Sequence, residues 1–188
     1  MPDPFAPLAA MIYGSGQGPE MDRILESGAH DLTADGLRLA GAVQHTAHPA
    51  SSPRCGMVLE DLGSGGIHPI AVDPDIEVQG CRMEPEKIET LAMLAGEAID
   101  RGADLFVLNR FGKNEIAGRG YRDVISEAVS RGIPVLVGVS SANAGKWDAF
   151  ASAGYERLDI DGEAARAWCR KAVDARRRQR EQTCLMKT

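Results

Sequence analysis

Polar side chains that bind or move charge gather between positions 109 and 119: Asn109, Arg110, Lys113, Asn114, Glu115 and Arg119. Arginine and lysine suit anions, the first as a planar fork and the second as a point charge. Glu115 is the acid of the set, and asparagine orients a ligand through neutral hydrogen bonds. Gly112, Gly118 and Gly120 punctuate the stretch. Ahead of it runs Leu105-Phe-Val-Leu108, which reads as a central strand, and behind it a helix opens at Tyr121. Apolar strand, polar tip, glycine turn and helix is how an open α/β sheet builds a site at the carboxyl ends of its strands. The plainer alternative is a solvated strand-to-helix loop.

A second candidate lies near the start. Leu8 to Tyr13 reads as a buried strand, Gly14-Ser15-Gly16-Gln17-Gly18 as a turn, and Pro19 as the first residue of a helix with Glu20 and Asp22 in its first turn. A glycine-rich loop in that place holds phosphate on backbone N–H groups and a helix N-terminus. Set against the Walker A loop, Gly-x-x-x-x-Gly-Lys-Ser/Thr, Tyr13 stands where the first glycine belongs. Pro19 replaces the lysine, and Glu20 the hydroxyl residue. Loss of a cation and gain of a carboxylate count against ordinary nucleoside triphosphate hydrolysis, while a backbone cradle for an oxyanion survives. The dinucleotide pattern Gly-x-Gly-x-x-Gly fails at Pro19. A structural turn without a ligand is the alternative. At the tip of the central strand, Asn109 stands where a Walker B acid would be. Arg110, Lys113 and Arg119 supply anion contacts, with Glu115 as their counter-ion or as a surviving acid.

A third group spans Gln44 to Arg82. His45, His48 and Cys55 fall in one stretch rich in Pro, Ser and Ala, and Cys81-Arg82 follows. Imidazole and thiolate together make a transition-metal set, although the spacing matches no standard zinc site. Ordinary loop residues are the alternative. Cys81 beside Arg82, ahead of a helix, is placed for thiolate reactivity, or else is a buried inert cysteine. Gln44 and Arg82 join the ligand candidates as a neutral donor and a cation.

The elements that must position these residues follow from periodicity. After the opening strand, turn and helix, Leu37 to Gln44 reads as a second strand. Met57 to Leu62 and His68 to Val72, joined by Gly63-Ser-Gly-Gly66, read as an antiparallel hairpin. Glu84-Pro85 opens a helix striped by Ile88, Leu91, Ala92, Ala95, Ala98 and Ile99, and Gly102 ends it. A helix runs from Tyr121 to Gly132, a buried strand from Pro134 to Val139, a short helix from Asn143 to Ala153 and an edge strand from Tyr155 to Ile160. A long helix fills 163–182, its basic end at Arg176, Arg177, Arg178 and Arg180 reading as a solvated face. Alternation of strand and helix predicts a three-layer α/β domain: a mostly parallel sheet, helices on both faces, and a small antiparallel hairpin insertion. The 188 residues make one domain, with 1–7 and 183–188 loose.

Composition narrows the function classes. Hydrophobic residues are 44%, charged residues 26% and aromatics 5%, so the core is mainly aliphatic. A net charge of −6 counts against general nucleic-acid binding. No apolar run approaches the ~20 residues of a membrane helix, and the opening Met-Pro-Asp-Pro-Phe lacks a secretory pattern. The cysteines form no Cys-x-x-Cys pair, which fits a reduced, cytoplasmic setting.

Leu108 to Tyr121, then Gly132-Ile-Pro-Val-Leu-Val-Gly-Val139, then Trp147 to Phe150, resemble a bacterial family of unknown function. Its members are often labelled as molybdenum transporter ATP-binding proteins. Gly41-Ala-Val-Gln44 and Gly80-Cys-Arg-Met83 match its pattern, and the resemblance runs from about Leu8 to Leu158. That family is similar, more distantly, to the thermophilic-type nucleoside-triphosphatases of the P-loop class. In those the matching strand carries an acid pair and then Gly-Lys-x-Glu. Gly112, Lys113 and Glu115 match, whereas Asn109 and Arg110 replace the acids. The resemblance implies a P-loop NTPase-like fold whose hydrolytic parts are lost or repurposed, and the family label points to molybdate or tungstate.

The expectation is a non-hydrolytic binding protein for a small anionic ligand. Gly14, Ser15, Gly16, Gln17 and Gly18 would give backbone N–H groups, Gln44 and Asn109 neutral hydrogen bonds, and Arg82, Arg110, Lys113 and Arg119 charge. Magnesium enters only if a nucleotide is bound. One rival is a divergent Mg-dependent nucleoside triphosphatase using Glu115. Another is a partner protein for molybdenum transport or molybdoenzyme assembly, without a small ligand. A homodimer that covers a sheet edge or helix face is a further expectation.

Overall fold

The aliphatic runs come together as one sheet, and the amphipathic segments close over its two faces. The computed structural model describes residues 7–45, 57–70 and 84–186. In chain order the elements are β1 (Leu8–Tyr13), α1 (Gly18–Ala34), β2 (Leu39–Gln44), β3 (Val58–Asp61), β4 (Gly66–Pro69), α2 (Pro85–Asp100) and β5 (Leu105–Leu108). There follow α3 (Lys113–Ile116), α4 (Arg122–Ser130), β6 (Val135–Ser140), α5 (Ala144–Phe150), β7 (Glu156–Leu158) and α6 (Gly162–Leu185). A single 3₁₀ turn, Ser141–Asn143, leads from β6 into α5.

The sheet order is β4-β3-β2-β5-β6-β1-β7. Strands β2, β5, β6, β1 and β7 run parallel, while β3 is antiparallel to both β2 and β4. The mostly parallel sheet with an antiparallel hairpin at one edge is therefore as expected. Side chains alternate between two cores, as the pleat requires. Ala40, Ala42, Phe106, Leu108, Val135 and Val137 face α2, α4 and α5. Leu39, Val43, Leu105, Val107 and Leu136 face α1 and α6. β6 lies between β1 and β5, so the end of the first strand and the end of the central strand stand two strand spacings apart, about 10 Å.

Gly41 is a local necessity in β2. Its φ is +103°, and a Cβ there would lie 2.0 Å from the Val107 carbonyl oxygen of β5. No side chain fits between those backbones.

The second strand starts at Leu39 rather than Leu37. The Arg38 N–H is taken by the Asp104 carboxylate, at 2.9 Å, instead of by a ladder. The helix expected from Asn143 to Ala153 is shorter, Ala144–Phe150. The last helix is longer than expected and runs through Leu185. Asp161 caps it, accepting from the N–H groups of Glu163 at 2.8 Å and Ala164 at 3.2 Å. Its basic end is not simply solvated. Arg176 donates to the Ala103 carbonyl at 2.9 Å, and Arg177 lies 3.7 Å from Asp104. Burial and the neighbouring Arg180 pull the Arg176 guanidinium below the usual arginine value.

Candidate functional site

Along α1, Asp22, Glu26 and His30 recur at every fourth residue and share one face of the helix. Beside them Met21, Leu25, Ala29 and Leu32 form the apolar stripe that seats α1 on the sheet. Each of the three polar residues meets a different neighbouring strand. Asp22 Oδ2 accepts from Arg110 Nη2 at 2.6 Å, just beyond β5. Glu26 Oε1 lies 3.0 Å from His45 Nδ1, just beyond β2. His30 Nε2 lies 2.8 Å from Glu60 Oε2 on β3. Glu26, His30 and Glu60 are not candidates on sequence grounds, and Asp22 is only an acidic first-turn residue. The signal was there in the four-residue spacing, but such a stripe on a helix ordinarily reads as its solvated side.

The glycine turn sits at the end of β1. The Gly14 N–H donates to Gln17 Oε1 at 2.7 Å and the Gln17 N–H to the Gly14 carbonyl at 3.2 Å. So the Gly14 N–H and the Gln17 amide oxygen are used inside the turn. Ser15, Gly16 and Gln17 are exposed, and Gly18, buried, begins α1. Arg110 crosses from β5 to lie over this helix start. A Cβ on Gly18 would be 3.3 Å from Arg110 Nη2, and the guanidinium carbon is 5.8 Å from the centre of the Tyr13 ring. Burial opposes the Arg110 charge, but the hydrogen bonds and charge of Asp22 outweigh it, so its pKa ends above the usual arginine value. Burial also pushes the Tyr13 phenol up, against the pull of Arg110.

Packing fixes the root of Arg110. The next residue, Phe111, is buried, with ring centres 5.0 Å from Trp147 and 5.3 Å from Phe150. The Phe111 N–H donates to the Gly138 carbonyl at 2.9 Å. Gly138 itself leaves room for the tip: a Cβ there would lie 2.1 Å from the Asn109 carbonyl oxygen and 2.5 Å from Met21 Sδ.

Several expected groupings change. The counter-ion of Arg110 is Asp22, not Glu115. Glu115 is buried, and its carboxylate accepts from the Gly112 N–H at 2.9 Å and the Tyr121 N–H at 3.2 Å. It ties down the loop between β5 and α4, so its two oxygens are committed to backbone. Glu115→Gln is accordingly expected to cost about 1–3 kcal/mol by leaving a buried N–H without its acceptor, measured as a lowered urea midpoint at unchanged slope. Asn109 is buried just beyond the end of β5, and Gln44 is half-buried at the end of β2. Lys113 at the start of α3 and Arg119 before α4 are exposed at the same carboxyl edge. Arg82, His48, Cys55 and Cys81 lie outside the described residues, so of the expected metal ligands only His45 is seen, facing carboxylates. Cys169 in α6 is buried, and burial pushes its thiol up to about 12, which disfavours the thiolate.

Comparison with known proteins agrees with this architecture. A family model described as protein of unknown function (DUF2478) matches residues 8–168. The chain is 30% identical over 174 residues to the molybdenum import ATP-binding protein ModC 2 of Bradyrhizobium diazoefficiens. That alignment covers 93% of this chain but 19% of the relative, so the chain spans about a fifth of that protein's length. Among solved structures, THEP1 from the hyperthermophile Aquifex aeolicus matches with a TM-score of 0.55 at 15% identity, over 83% of this chain and 91% of that one. At that identity the likeness speaks to fold: a three-layer, P-loop NTPase-like α/β arrangement. Both resemblances read from the residues are thereby met.

Proposed function

The chain belongs to the family of proteins of unknown function DUF2478, and from that premise we propose that it binds an oxyanion, or the phosphate group of a nucleotide, at the glycine turn without hydrolysing it. The observation that carries this reading is Arg110 held over Gly18 by Asp22. A hydrolytic P-loop places a lysine and then a hydroxyl residue at the helix start. Here those positions are Pro19 and Glu20, which offer neither a cation nor a hydroxyl ligand for magnesium. Arg110 brings a cation to the same place from the neighbouring strand. A guanidinium with two of its N–H groups on a carboxylate still presents others in fixed directions, a good match for tetrahedral oxygens.

Turnover needs a base or a water-positioning group as well. Asn109 has no charge, and Glu115 is spent on two backbone N–H groups. That set supports binding without hydrolysis. The name of the Bradyrhizobium relative supports molybdate or tungstate as the oxyanion, in a molybdenum-handling role. Among the described residues no helix is long and apolar enough to cross a membrane.

Calorimetric titration of the full chain with molybdate, tungstate, phosphate and Mg-ATP tests the proposal, run beside a phosphate-release assay. Saturable one-site binding with no release above the blank is the expected result. Magnesium-dependent phosphate release would establish the divergent triphosphatase in its place. Absence of heat with all four ligands removes the anion site altogether.

A further inference from the structure

We infer that Glu26, His45 and Glu60 form a binding site for a first-row divalent cation of the zinc class, one helical turn along α1 from the Arg110–Asp22 pair. The donors come from three separate elements: mid-α1, the end of β2, and β3. One nitrogen and two carboxylate oxygens from these residues all lie within 4.8 Å of one another. A tetrahedral ion with bonds of about 2.1 Å spaces its ligand atoms roughly 3.4 Å apart. His45 Nδ1 is 3.0 Å from Glu26 Oε1 and 3.6 Å from Glu60 Oε2, distances that bracket that spacing.

Charge points the same way. The Glu26 and Glu60 side chains are only 10% and 12% exposed. Two carboxylates withdrawn from water into one small volume suit a bound cation. A dication with neutral imidazole balances them. The donor chemistry selects the ion: imidazole favours Zn, Cu, Fe and Ni, while carboxylates alone would favour Mg, Ca or Mn. Three protein donors leave a tetrahedral ion one position for water, the form of reactive rather than closed structural zinc sites.

His30 acts as a positioning residue. Its Nε2, 2.8 Å from Glu60 Oε2, orients the carboxylate toward the ion. The His30 side chain is half exposed. The competing account of the cluster is a set of protonated histidines paired with the glutamates and holding no metal. This inference does not rest on any ligand at the glycine turn.

The full chain, stripped with a chelator and dialysed, is titrated with Zn²⁺ against a chromophoric competitor, and with Co²⁺ followed by its visible spectrum. The expected result is one ion per chain, four-coordinate cobalt bands without thiolate charge transfer, and a raised Tm on zinc addition. Glu26→Gln and His45→Gln are each expected to weaken zinc binding by at least about 100-fold, and His30→Gln by about 10-fold. No binding up to about 0.1 mM free zinc overturns the site and leaves the protonated cluster. So does a thiolate band, or zinc affinity that survives His45→Gln and is lost in Cys55→Ser or Cys81→Ser. Should His45→Gln fail to fold, Glu60→Gln and the half-exposed His30→Gln decide: unchanged affinity in both overturns the site.

Discussion

Gly41→Ala is expected to lower the thermal midpoint by roughly 10 °C, within a range of about 4–24 °C. Two costs combine. An L-residue at φ +103° carries backbone strain of about 1–3 kcal/mol. The new methyl would also sit 2.0 Å from the Val107 carbonyl oxygen. That atom belongs to a paired strand and is no flexible side chain, so the clash is relieved only by prising β2 from β5, at a further ~1–3 kcal/mol. Against a total stability of about 5–15 kcal/mol the sum is large. Gly36→Ala separates the two costs. Gly36 has φ +86° with nothing within 4 Å of its added carbon, so strain acts there alone. A melt in which the two variants fall equally would show that the β2–β5 approach carries no weight.

Arg110→Ala is expected to abolish anion binding and to destabilise the fold together. Asp22, with its side chain 5% exposed, would be left buried without its cation. Breaking a fully buried pair costs about 3–5 kcal/mol. Arg110 is 38% exposed, so water reaches the vacated volume and about 2–3 kcal/mol is the expected loss. The double variant Asp22→Asn with Arg110→Gln removes both charges, keeps the shape of the Asp22 side chain and shortens that of Arg110. It is expected to recover most of the stability, read by urea unfolding, and none of the binding, read by calorimetry. Recovery of binding in the double variant would mean that the guanidinium is not the anion contact.

The fold was legible because its strands are short apolar runs and its helices carry apolar stripes with proline starts and glycine ends. Leu105 to Leu108, Val135 to Val139 and the stripe from Ile88 to Ile99 are of that kind. The glycine turn and the polar tip of β5 were legible as places. Their partners were not. Asp22 looks like an ordinary acidic first turn, and nothing in a linear pattern says that Arg110 reaches it rather than Glu115, which is nearer in sequence. Glu60 and His30 are separated by thirty positions and joined only through the packing of α1 on β2 and β3. The backbone contacts of Glu115 have a physical reason as well. A glutamate three residues after a glycine turn can fold back on backbone N–H groups, and here it does.

The polar face of α1 also has a mechanical meaning. The helix is keyed to the sheet by three contacts, at Asp22, Glu26 and His30, each engaging a different strand. An apolar stripe alone tolerates some rotation, because one methyl replaces another. Three directional contacts do not: turning the shaft by one residue disengages all of them at once. The glycine turn is the end of that shaft, so the seat it offers a ligand is aimed by engagements made further along the helix.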